Sequence, residues 1–457
     1  MRIDLSKNGT SAYAEQISTP GLGDHSYLVV VGDEAAVIDP QRDITRFESV
    51  LAASGARLAA VLETHVHNDY FSGGPELARR FDAAYVLPPY TEARVKHQTL
   101  AEGEMFHLGE WALHAIHTPG HTQHHMSYAL EAPGGAAAVF TGGSMLVAGA
   151  GRTDLVSEEL TEPLARDQYR SINRLADELP DPSVVSPTHG SGSFCGSGGG
   201  HSGTVSTIED EKRQNPALTA PHEDAFVREH VAGFGIYPSY YRHMGPTNAV
   251  GAPPMPTGDV KELSPTELAQ LDHEVWPVDV RSAAEFARGH VPGSVNIPMG
   301  DDVGVYTGWA LPWNSKIVLI TGTEEDAENA RLHLARVGID TVTGKVTDGL
   351  ARWRSEERSL SSYPTATFAD MAAPDVVVDV RDPKEREQGW IPWSVNVHFS
   401  QIRDRIGDVP EGRAWVHCTS GFRAAIGASL LHRLGRDVVL VQDEFENYPG
   451  VLMLPTR

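Results

Sequence analysis

Two histidines and an aspartate follow a short apolar run, and their spacing is the strongest constraint on what this chain can fold into. The run at 59–63 is typical of a buried strand, and His65, His67 and Asp69 follow it at every second position. Because alternate residues of an extended segment point to the same side, these side chains can converge on one ion just past the strand end. The segment therefore predicts a metal site.

Two further histidines also end short apolar runs. His121 lies in a Thr-Pro-Gly-His-Thr turn after 111–117, and His189 lies in a Pro-Thr-His-Gly turn after 184–185. Strand ends bring side chains from distant parts of a sequence to one edge of a sheet. We therefore expect an α/β fold whose site is assembled from three separate strand ends.

The segments around His65, His121 and His189 resemble the metallo-β-lactamase superfamily. The segments 140–143 (FTGG) and 151–154 (GRTD) are similar to its persulfide dioxygenase and glyoxalase II branch. The resemblance covers about the first 250 residues. It implies an αββα sandwich for that part of the chain.

The chain departs from this family at two positions. The family's HxHxDH motif ends here in Tyr70, and Gly143 stands where the family has an aspartate after Thr-Gly. A site for two metals would lose one imidazole and its bridging carboxylate, so we expect one ion. Tyr70 and His189 are expected to line the pocket.

For that single ion the resemblance implies His65 and His121 as ligands of Fe(II), in the face of two histidines and one carboxylate that persulfide dioxygenases use. The carboxylate is left unassigned, and Asp69, Asp154 or water are the candidates. His67 could instead complete a three-histidine site, which would suit zinc better than an iron oxygenase.

The second chemical feature is a cysteine loop. Cys418 follows the apolar run 414–417 and precedes a helical segment at 424–434. Backbone N–H groups of such a loop and of the helix N-terminus favour an anion, so they would lower the pKa of the thiol. Arg423 can attract an anionic sulfur donor or brace the loop. The active loop between them consists of Thr419, Ser420, Gly421 and Phe422.

The pattern C-x-x-G-x-R in this loop resembles the active loop of rhodanese sulfurtransferases, and 377–381 and 391–396 match the family's other two signatures. The related loops of phosphatases are one residue longer, so sulfur is favoured over phosphate. The resemblance covers 363–457. It implies a small doubly wound α/β domain whose Cys418 carries a persulfide.

The same signatures occur once more, at 278–281 and 289–298. Aligning the two copies puts Thr321 at the position of Cys418, in a loop that contains three carboxylates at 324–326. No thiolate can form there, and an acidic loop repels anionic donors. We therefore expect a duplicated rhodanese domain whose first copy is inactive.

The other cysteine, Cys195, lies in a Gly/Ser-rich stretch at 190–200 that begins beside His189. The composition alone is typical of a flexible linker, and its position favours a mobile loop over the metal pocket. Fused dioxygenase–rhodanese proteins carry a similar segment. By that resemblance, Cys195 could receive or hold a sulfane sulfur near the metal.

Composition and the positions of Pro and Gly residues predict the partners, the compartment and the domain bounds. The formal charge of −24 argues against nucleic acid or an anionic membrane as a partner. Two cysteines, no long apolar run and no secretion signal favour a soluble cytoplasmic protein, which we expect to be a homo-oligomer. The predicted domains are 1–250, 259–358 and 363–457, with a Pro/Gly linker at 251–258.

Together these features predict an enzyme that oxidises a low-molecular-weight persulfide to sulfite at one iron, with a small-molecule persulfide or thiol as its partner. Cys418 would transfer sulfur between a persulfide and sulfite or thiosulfate. Two alternatives stay open. One is a mononuclear zinc thioester hydrolase of the glyoxalase II type. The other is a metal-poor thiol-binding domain attached to a sulfurtransferase.

Overall fold

The computed structural model describes residues 1–7, 9–89, 91–196, 205–348, 350–371 and 374–450. The chain divides into two units, Met1–Met255 and Pro256–Arg457. Part of the predicted Gly-rich loop (197–200) and the end of the predicted C-terminal domain (451–457) lie outside the described residues. Within those ranges, no helix has the length and apolar character needed to cross a bilayer.

The first unit opens with a seven-stranded sheet whose strands lie side by side in sequence order. Pairing is antiparallel from the first strand to the fourth and parallel beyond it. The strands are β1 (Arg2–Asp4), β2 (Ala12–Thr19), β3 (Asp24–Val31), β4 (Glu34–Ile38), β5 (Arg57–Leu62), β6 (Ala84–Leu87) and β7 (Gln98–Thr99).

A six-stranded sheet and a two-stranded ribbon follow. Their strands are β8 (Met105–Leu108), β9 (Trp111–His117), β10 (Met126–Ala132), β11 (Gly135–Gly142), β12 (Met145–Leu146), β13 (Gly149–Ala150), β14 (Val184–Pro187) and β15 (Ser206–Thr207). The six-stranded sheet has the order β15-β14-β11-β10-β9-β8, and β12 pairs with β13. β14 runs parallel to β11, and the other pairs are antiparallel.

Helices cover the outer faces of both sheets. They are α1 (Thr45–Ser54), α2 (Gly74–Arg80), α3 (Thr161–Glu178), α4 (Ile208–Gln214), α5 (Pro216–Thr219), α6 (Glu223–Ala232) and α7 (Tyr241–Val250). Alternation along β3 divides the core, because Tyr27 and Val29 pack toward the second sheet while Leu28 packs with Phe47 of α1. On the other side Ile172 of α3 packs against the second sheet. The predicted αββα sandwich is confirmed.

The second unit contains two parallel sheets of the same design. The first is formed by β16 (Val275–Asp279), β17 (Val295–Asn296), β18 (Lys316–Ile320) and β19 (Val342–Val346). The second is formed by β20 (Thr365–Ala366), β21 (Val376–Asp379), β22 (Val395–Asn396), β23 (Ala414–His417) and β24 (Val438–Val441). The order β17-β16-β18-β19 in one corresponds to β22-β21-β23-β24 in the other.

Short helices connect these strands. They are α8 (Pro265–Ala269), α9 (Ala283–Arg288), α10 (Val303–Ala310), α11 (Glu324–Arg336), α12 (Ala351–Ser355), α13 (Pro383–Arg386) and α14 (Phe422–Arg433). Single turns of 3₁₀ helix lie at Glu158–Leu160 in the first unit and at Phe368–Asp370, Phe399–Gln401, Ile406–Asp408 and Phe445–Asn447 in the second.

The strand register places Thr321 at the position of Cys418. Asp279 pairs with Ile320 across β16 and β18, and Asp379 pairs with His417 across β21 and β23. The residue after each pair is therefore Thr321 in one copy and Cys418 in the other. The duplication and the missing thiol follow from this register.

One buried hydrogen bond links the two sheets of the first unit close to His189. The Tyr27 hydroxyl on β3 donates to the carbonyl of Pro187, the last residue of β14, at 2.7 Å. The Tyr27 side chain is fully buried. Without its partner the Pro187 carbonyl would be left in an apolar core.

We expect Tyr27→Phe to lower the free energy of unfolding of the first unit by about 1–2 kcal/mol, because a buried carbonyl loses its donor while packing is kept. Urea denaturation followed by far-UV circular dichroism measures this. Tyr169→Phe, which makes the same change at the half-buried Tyr169 of α3, is the matched control and should change stability by less than about 0.5 kcal/mol. Equal effects of the two variants would contradict the structural role of the Tyr27 hydrogen bond.

Candidate metal centre and sulfur-transfer loop

The three histidines at the strand ends converge in the first unit. His65 follows β5, His121 follows β9 and His189 follows β14. One ring nitrogen of each lies within 4.8 Å of the others, and their ring centroids are 4.8–5.5 Å apart. All three side chains are fully buried.

Hydrogen bonds donated by Nδ1 fix the tautomer of two of these rings. The Thr64 hydroxyl donates to Asp39 at 2.7 Å, so its oxygen can only accept from Nδ1 of His65, 2.9 Å away. Nδ1 of His121 donates to the carbonyl of Arg152 at 2.8 Å. Because a neutral imidazole has one donor nitrogen and one acceptor nitrogen, Nε2 of both rings carries the free lone pair.

His189 is oriented by two buried carboxyl groups. Its Nδ1 lies 2.9 Å from Asp24 Oδ1 and 3.4 Å from Asp69 Oδ2. Burial raises the pKa of both Asp24 and Asp69 to about 7. Asp69, which the sequence indicates as a possible ligand, lies beside Nδ1 of His189. Its two oxygens have no hydrogen-bond partner in the described chain, so its ligand role stays a prediction.

The donors present fit a metal ion. Burial, together with the neighbouring imidazoles, lowers the pKa of His65 and His121 well below the ordinary value, and burial also lowers that of His189. Nε2 of all three has no hydrogen-bond partner among the described residues. Three uncharged rings with unshared lone pairs and anchored Nδ1 atoms form the arrangement of metal-binding histidines.

His67 points its Nε2 away from these rings. That atom lies 3.0 Å from Glu63, 3.2 Å from Asp39 and 3.0 Å from the Tyr70 hydroxyl. Burial alone would lower the pKa of His67, but the two carboxylates raise it well above the ordinary value. A ring nitrogen of His67 also lies within 4.8 Å of donor atoms of Asp69 and His189, so a ligand role for His67 stays a prediction.

Asp154, the other candidate carboxylate, lies outside the donor groups found in the described residues. It pairs with Arg152 through two contacts of 2.6 and 2.8 Å. Arg152 also binds the carbonyls of Phe194 and Gly235. The pair therefore ties the loop around Cys195 to the residue that holds His121, and this explains why Asp154 does not reach the histidines.

Gly143 lets the His121 ring pack directly on the backbone. A Cβ atom at position 143 would lie 2.5 Å from Cγ and 2.7 Å from Nε2 of His121, where carbon contacts need about 3.5–4.0 Å. The Gly143 N–H donates to Nε2 of His125 at 3.0 Å, which occupies the lone pair of that ring. No aspartate fits at 143 with His121 in this position.

Cys195 is a buried thiol. Burial, and then the nearby Asp69 and Asp24, raise the pKa of Cys195 well above its usual value, which disfavours a thiolate. A neutral thiol is a weak nucleophile. The role of Cys195 as a sulfur carrier stays a prediction. Tyr241 on α7 hydrogen-bonds to the thiol.

The second candidate site is the Cys418 loop. Cys418 follows β23 directly and is buried. Gly421 has φ of 96°, a left-handed conformation that favours glycine, and its N–H donates to Cys418 Sγ at 3.1 Å. Helix α14 begins at the next residue. The loop thus aims one backbone donor and a helix N-terminus at the sulfur.

Arg423 braces the loop by pairing with Glu385 of α13. Both terminal nitrogens of the guanidinium bind the carboxylate, one of them at 2.8 Å. The Thr419 hydroxyl donates to the same carboxylate at 2.9 Å. Of the two roles that the sequence leaves open for Arg423, this geometry matches bracing. Glu385 carries no sequence signal, because the pair joins residues 38 positions apart.

The inactive copy contributes to the surroundings of the loop. A cavity of about 540 Å³ is lined by Ser420, Gly421 and Phe422 on one side and by Arg281, Glu285 and Asp326 on the other. The ring of Tyr306 on α10 lies 4.9 Å from the ring of Phe422. In the inactive loop the Thr321 hydroxyl donates to the carbonyl of Thr323 at 2.7 Å.

Each copy contains the same asparagine clamp. Asn396 Nδ2 donates to the carbonyls of Asp379 and Arg381 at 2.9 and 3.0 Å. Asn296 donates to the carbonyls of the equivalent residues at 2.8 and 2.9 Å. The rhodanese signatures therefore build a scaffold that both copies share, and the loops after β18 and β23 decide which copy has a thiol.

Comparison with known proteins agrees with this geometry. Residues 20–221 match the metallo-β-lactamase superfamily, and residues 264–356 and 366–448 match the rhodanese-like domain. The chain joins a metallo-β-lactamase domain to two rhodanese-like domains. A metallo-β-lactamase from Staphylococcus aureus has a similar structure, with a TM-score of 0.66 and 25% identity over 74% of this chain and 99% of that chain.

Two kinds of relative resemble the first unit. Persulfide dioxygenase ETHE1 of Mus musculus is 27% identical over 48% of this chain and 81% of that protein. The hydroxyacylglutathione hydrolase-like protein of Homo sapiens is 32% identical over 42% of this chain and 60% of that protein. The persulfide dioxygenase relatives and the rhodanese-like domains indicate that the chain is an enzyme of the persulfide dioxygenase and sulfurtransferase kind.

The shared clamp gives a matched pair of variants. We expect Asn396→Ala and Asn296→Ala to lower the free energy of unfolding of the second unit by similar amounts, about 1–3 kcal/mol. Sulfur transfer from thiosulfate to cyanide should fall about tenfold in Asn396→Ala, because the strand beside β23 loses its anchor and small displacements cost rate. Asn296→Ala should transfer sulfur at nearly the original rate. Equal losses in both would show that the clamp acts only through stability.

Proposed function

We propose that the first unit oxidises a low-molecular-weight persulfide with O₂ at one ferrous ion. The observation that carries this proposal is the meeting of three neutral imidazoles, from His65, His121 and His189, whose Nε2 atoms are free of partners in the described chain. The similarity to a mouse persulfide dioxygenase supports the substrate class. The reaction balances as persulfide, O₂ and water giving thiol, sulfite and two protons.

The chain's own part in this reaction is orientation and exclusion of water. Ferrous iron would supply the one-electron chemistry that O₂ requires. The rings are fully buried, so a bound sulfur would meet little solvent. The Nδ1 anchors at Thr64, Arg152 and Asp24 hold the rings in place before any ligand binds, which lowers the cost of reorganisation.

We propose that Cys418 carries the sulfur in the second unit. Its thiolate would attack the outer sulfur of thiosulfate, the S–S bond would break, and sulfite would leave with the bonding electrons. The resulting persulfide would pass its outer sulfur to a second nucleophile. The Gly421 N–H, 3.1 Å from Sγ, supports this role because a charge-assisted hydrogen bond stabilises a thiolate. The reverse direction would turn a persulfide and sulfite into thiosulfate.

Covalent linkage of the two activities supports a joint role in sulfane-sulfur metabolism, since it raises the effective concentration of a shared intermediate. We propose the predicted bounds 1–250, 259–358 and 363–457 for the three domains, joined after the first by 251–258. Two unpaired cysteines support a reducing, cytoplasmic setting.

A zinc-dependent thioester hydrolase is the second candidate. Three neutral imidazoles with an open position are a donor set that catalytic zinc accepts, and a human hydroxyacylglutathione hydrolase-like protein is among the relatives. A metal-poor, thiol-binding unit is the third. The identity and amount of bound metal separate all three.

We expect protein purified without oxygen and loaded with iron to bind one equivalent and to consume O₂ when a persulfide of glutathione or of coenzyme A is added. Elemental analysis and an oxygen electrode measure the two quantities, and sulfite should form in proportion to the O₂ used. Zinc-loaded protein is the control. If the zinc form hydrolyses a glutathione thioester and the iron form takes up no O₂, the oxygenase proposal fails and the hydrolase is supported.

We expect Cys418→Ser to abolish sulfur transfer from thiosulfate to cyanide, because a serine hydroxyl is a far weaker sulfur nucleophile than a thiolate. Oxygen consumption by the iron-loaded variant should be unchanged. Cys195→Ser is the matched control for removing a cysteine, and it should keep the transfer activity. Transfer that survives in Cys418→Ser would place the sulfur-carrying residue elsewhere.

A further inference from the structure

Position 143 lacks the carboxylate that a resemblance to persulfide dioxygenases implies. Gly143 offers no side chain, and the space where its Cβ would lie is taken by the His121 ring. Asp154 is held by Arg152. A metal ion at His65 and His121 therefore needs a third donor from elsewhere in the chain.

His189 has every property of that donor. His189 belongs to two groups of possible metal ligands among the described residues. It shares one group with His65 and His121, and the other with His67 and Asp69. Its Nε2 has no partner in the described chain, and its Nδ1 is anchored by Asp24 at 2.9 Å.

The competing donor, His67, is committed through one of its nitrogens only, because its Nδ1 is buried without a hydrogen-bond partner among the described residues. Its Nε2 contacts Glu63, Asp39 and the Tyr70 hydroxyl, all at 3.0–3.2 Å. Tyr70 stacks on the His67 ring with centroids 4.4 Å apart. These contacts form a closed polar cluster behind the site. Nδ1 of His67 and both oxygens of Asp69 also lack hydrogen bonds. Among the described residues, however, His189 is the side chain that forms a donor group with His65 and His121, whereas His67 and Asp69 form a group with His189.

We propose that His189 replaces the missing carboxylate, so that one ion is held by the three imidazoles of His65, His121 and His189. This assignment rests on the proposed function only in assuming that the first unit binds a metal. An all-imidazole ligand set leaves both positive charges of a divalent ion uncompensated by its protein ligands. The chemical class that such an ion takes in an open position is an anionic sulfur, such as a deprotonated persulfide, in preference to a neutral thioester carbonyl.

The test is a titration of metal-free protein with Co²⁺ alone, without oxygen, followed by calorimetry and by visible absorption of the bound ion. The original chain should bind one equivalent. His189→Ala and His189→Gln should weaken the binding on the order of 100-fold and change the spectrum, since loss of a ligand exceeds the 10–100-fold cost of losing an outer partner. His114→Ala, which removes a half-exposed imidazole from β9, should titrate like the original chain.

Two further variants test the same assignment, and circular dichroism checks their folding. Imidazole added to His189→Gly should restore Co²⁺ binding if the ring itself is the ligand. Gly143→Asp should weaken binding, because the new side chain overlaps the His121 ring. Far-UV circular dichroism checks that each variant is folded.

The outcomes separate the two proposals. Unchanged Co²⁺ affinity and spectrum in His189→Gln, or tighter binding in Gly143→Asp, would overturn the three-imidazole assignment while leaving a metal enzyme in place. Loss of Co²⁺ binding in His67→Asn with retention in His189→Gln would assign the third ligand to His67. If the original chain binds no Co²⁺ and no Fe²⁺, the metal-dependent function fails together with the ligand assignment.

Discussion

The metal chemistry that we propose for the first unit depends on three hydrogen bonds made by the Nδ1 atoms of buried imidazoles. Each acceptor comes from a different part of the chain, namely the Thr64 hydroxyl, the Arg152 carbonyl and the Asp24 carboxyl. A buried imidazole prefers to be neutral, but burial alone does not decide which nitrogen keeps its proton. The anchors decide this for His65 and His121, and Nε2 of all three rings has no partner among the described residues. These anchors come together only when the two sheets pack face to face. The correct packing of the sheets is therefore also what prepares the histidines to bind a metal.

The second unit separates scaffold from chemistry in a different way. Its two copies share strand order, register and the asparagine clamp, so their folds need neither a thiol nor an anion-binding loop. One loop makes the difference. In the active copy it places Cys418 under the Gly421 N–H, and in the other it places Thr321 ahead of an acidic helix start. The copy without a cysteine still lines the cavity beside Ser420 and Phe422. It therefore forms part of the surroundings of the Cys418 loop although it carries no thiol.

Much of this could be predicted from the sequence, because the relevant signals are local. Strand ends followed by histidine, and a cysteine loop between a strand and a helix, reveal both the fold and the candidate sites of the chain. The repeat spacing also gives Thr321 its position. These features depend on alternation and on short motifs, which a single sequence carries.

The partners of these residues could not be predicted, because they come from distant positions. Asp24 reaches His189 across 165 residues, and Glu385 reaches Arg423 across 38. Nothing near Asp24 distinguishes it from other acidic residues at strand starts. The position of His189 in the sequence predicts a residue that lines the pocket, and the unpartnered Nε2 that makes it a possible ligand is visible only in the structure.

Gly143 shows why a missing residue does not imply a missing site. An aspartate at this position and the observed place of His121 exclude each other, because the Cβ of the aspartate and the imidazole ring would occupy the same volume. The glycine therefore leaves no space for a carboxylate at this position. It allows the His121 ring to lie against the backbone, fixed there by the Arg152 carbonyl. His125 holds the Gly143 N–H from the other side, so the peptide cannot move to admit a carboxylate without losing a buried hydrogen bond. Under the ligand assignment that we propose, the glycine at position 143 and the all-imidazole ligand set are consequences of the same packing of the His121 ring.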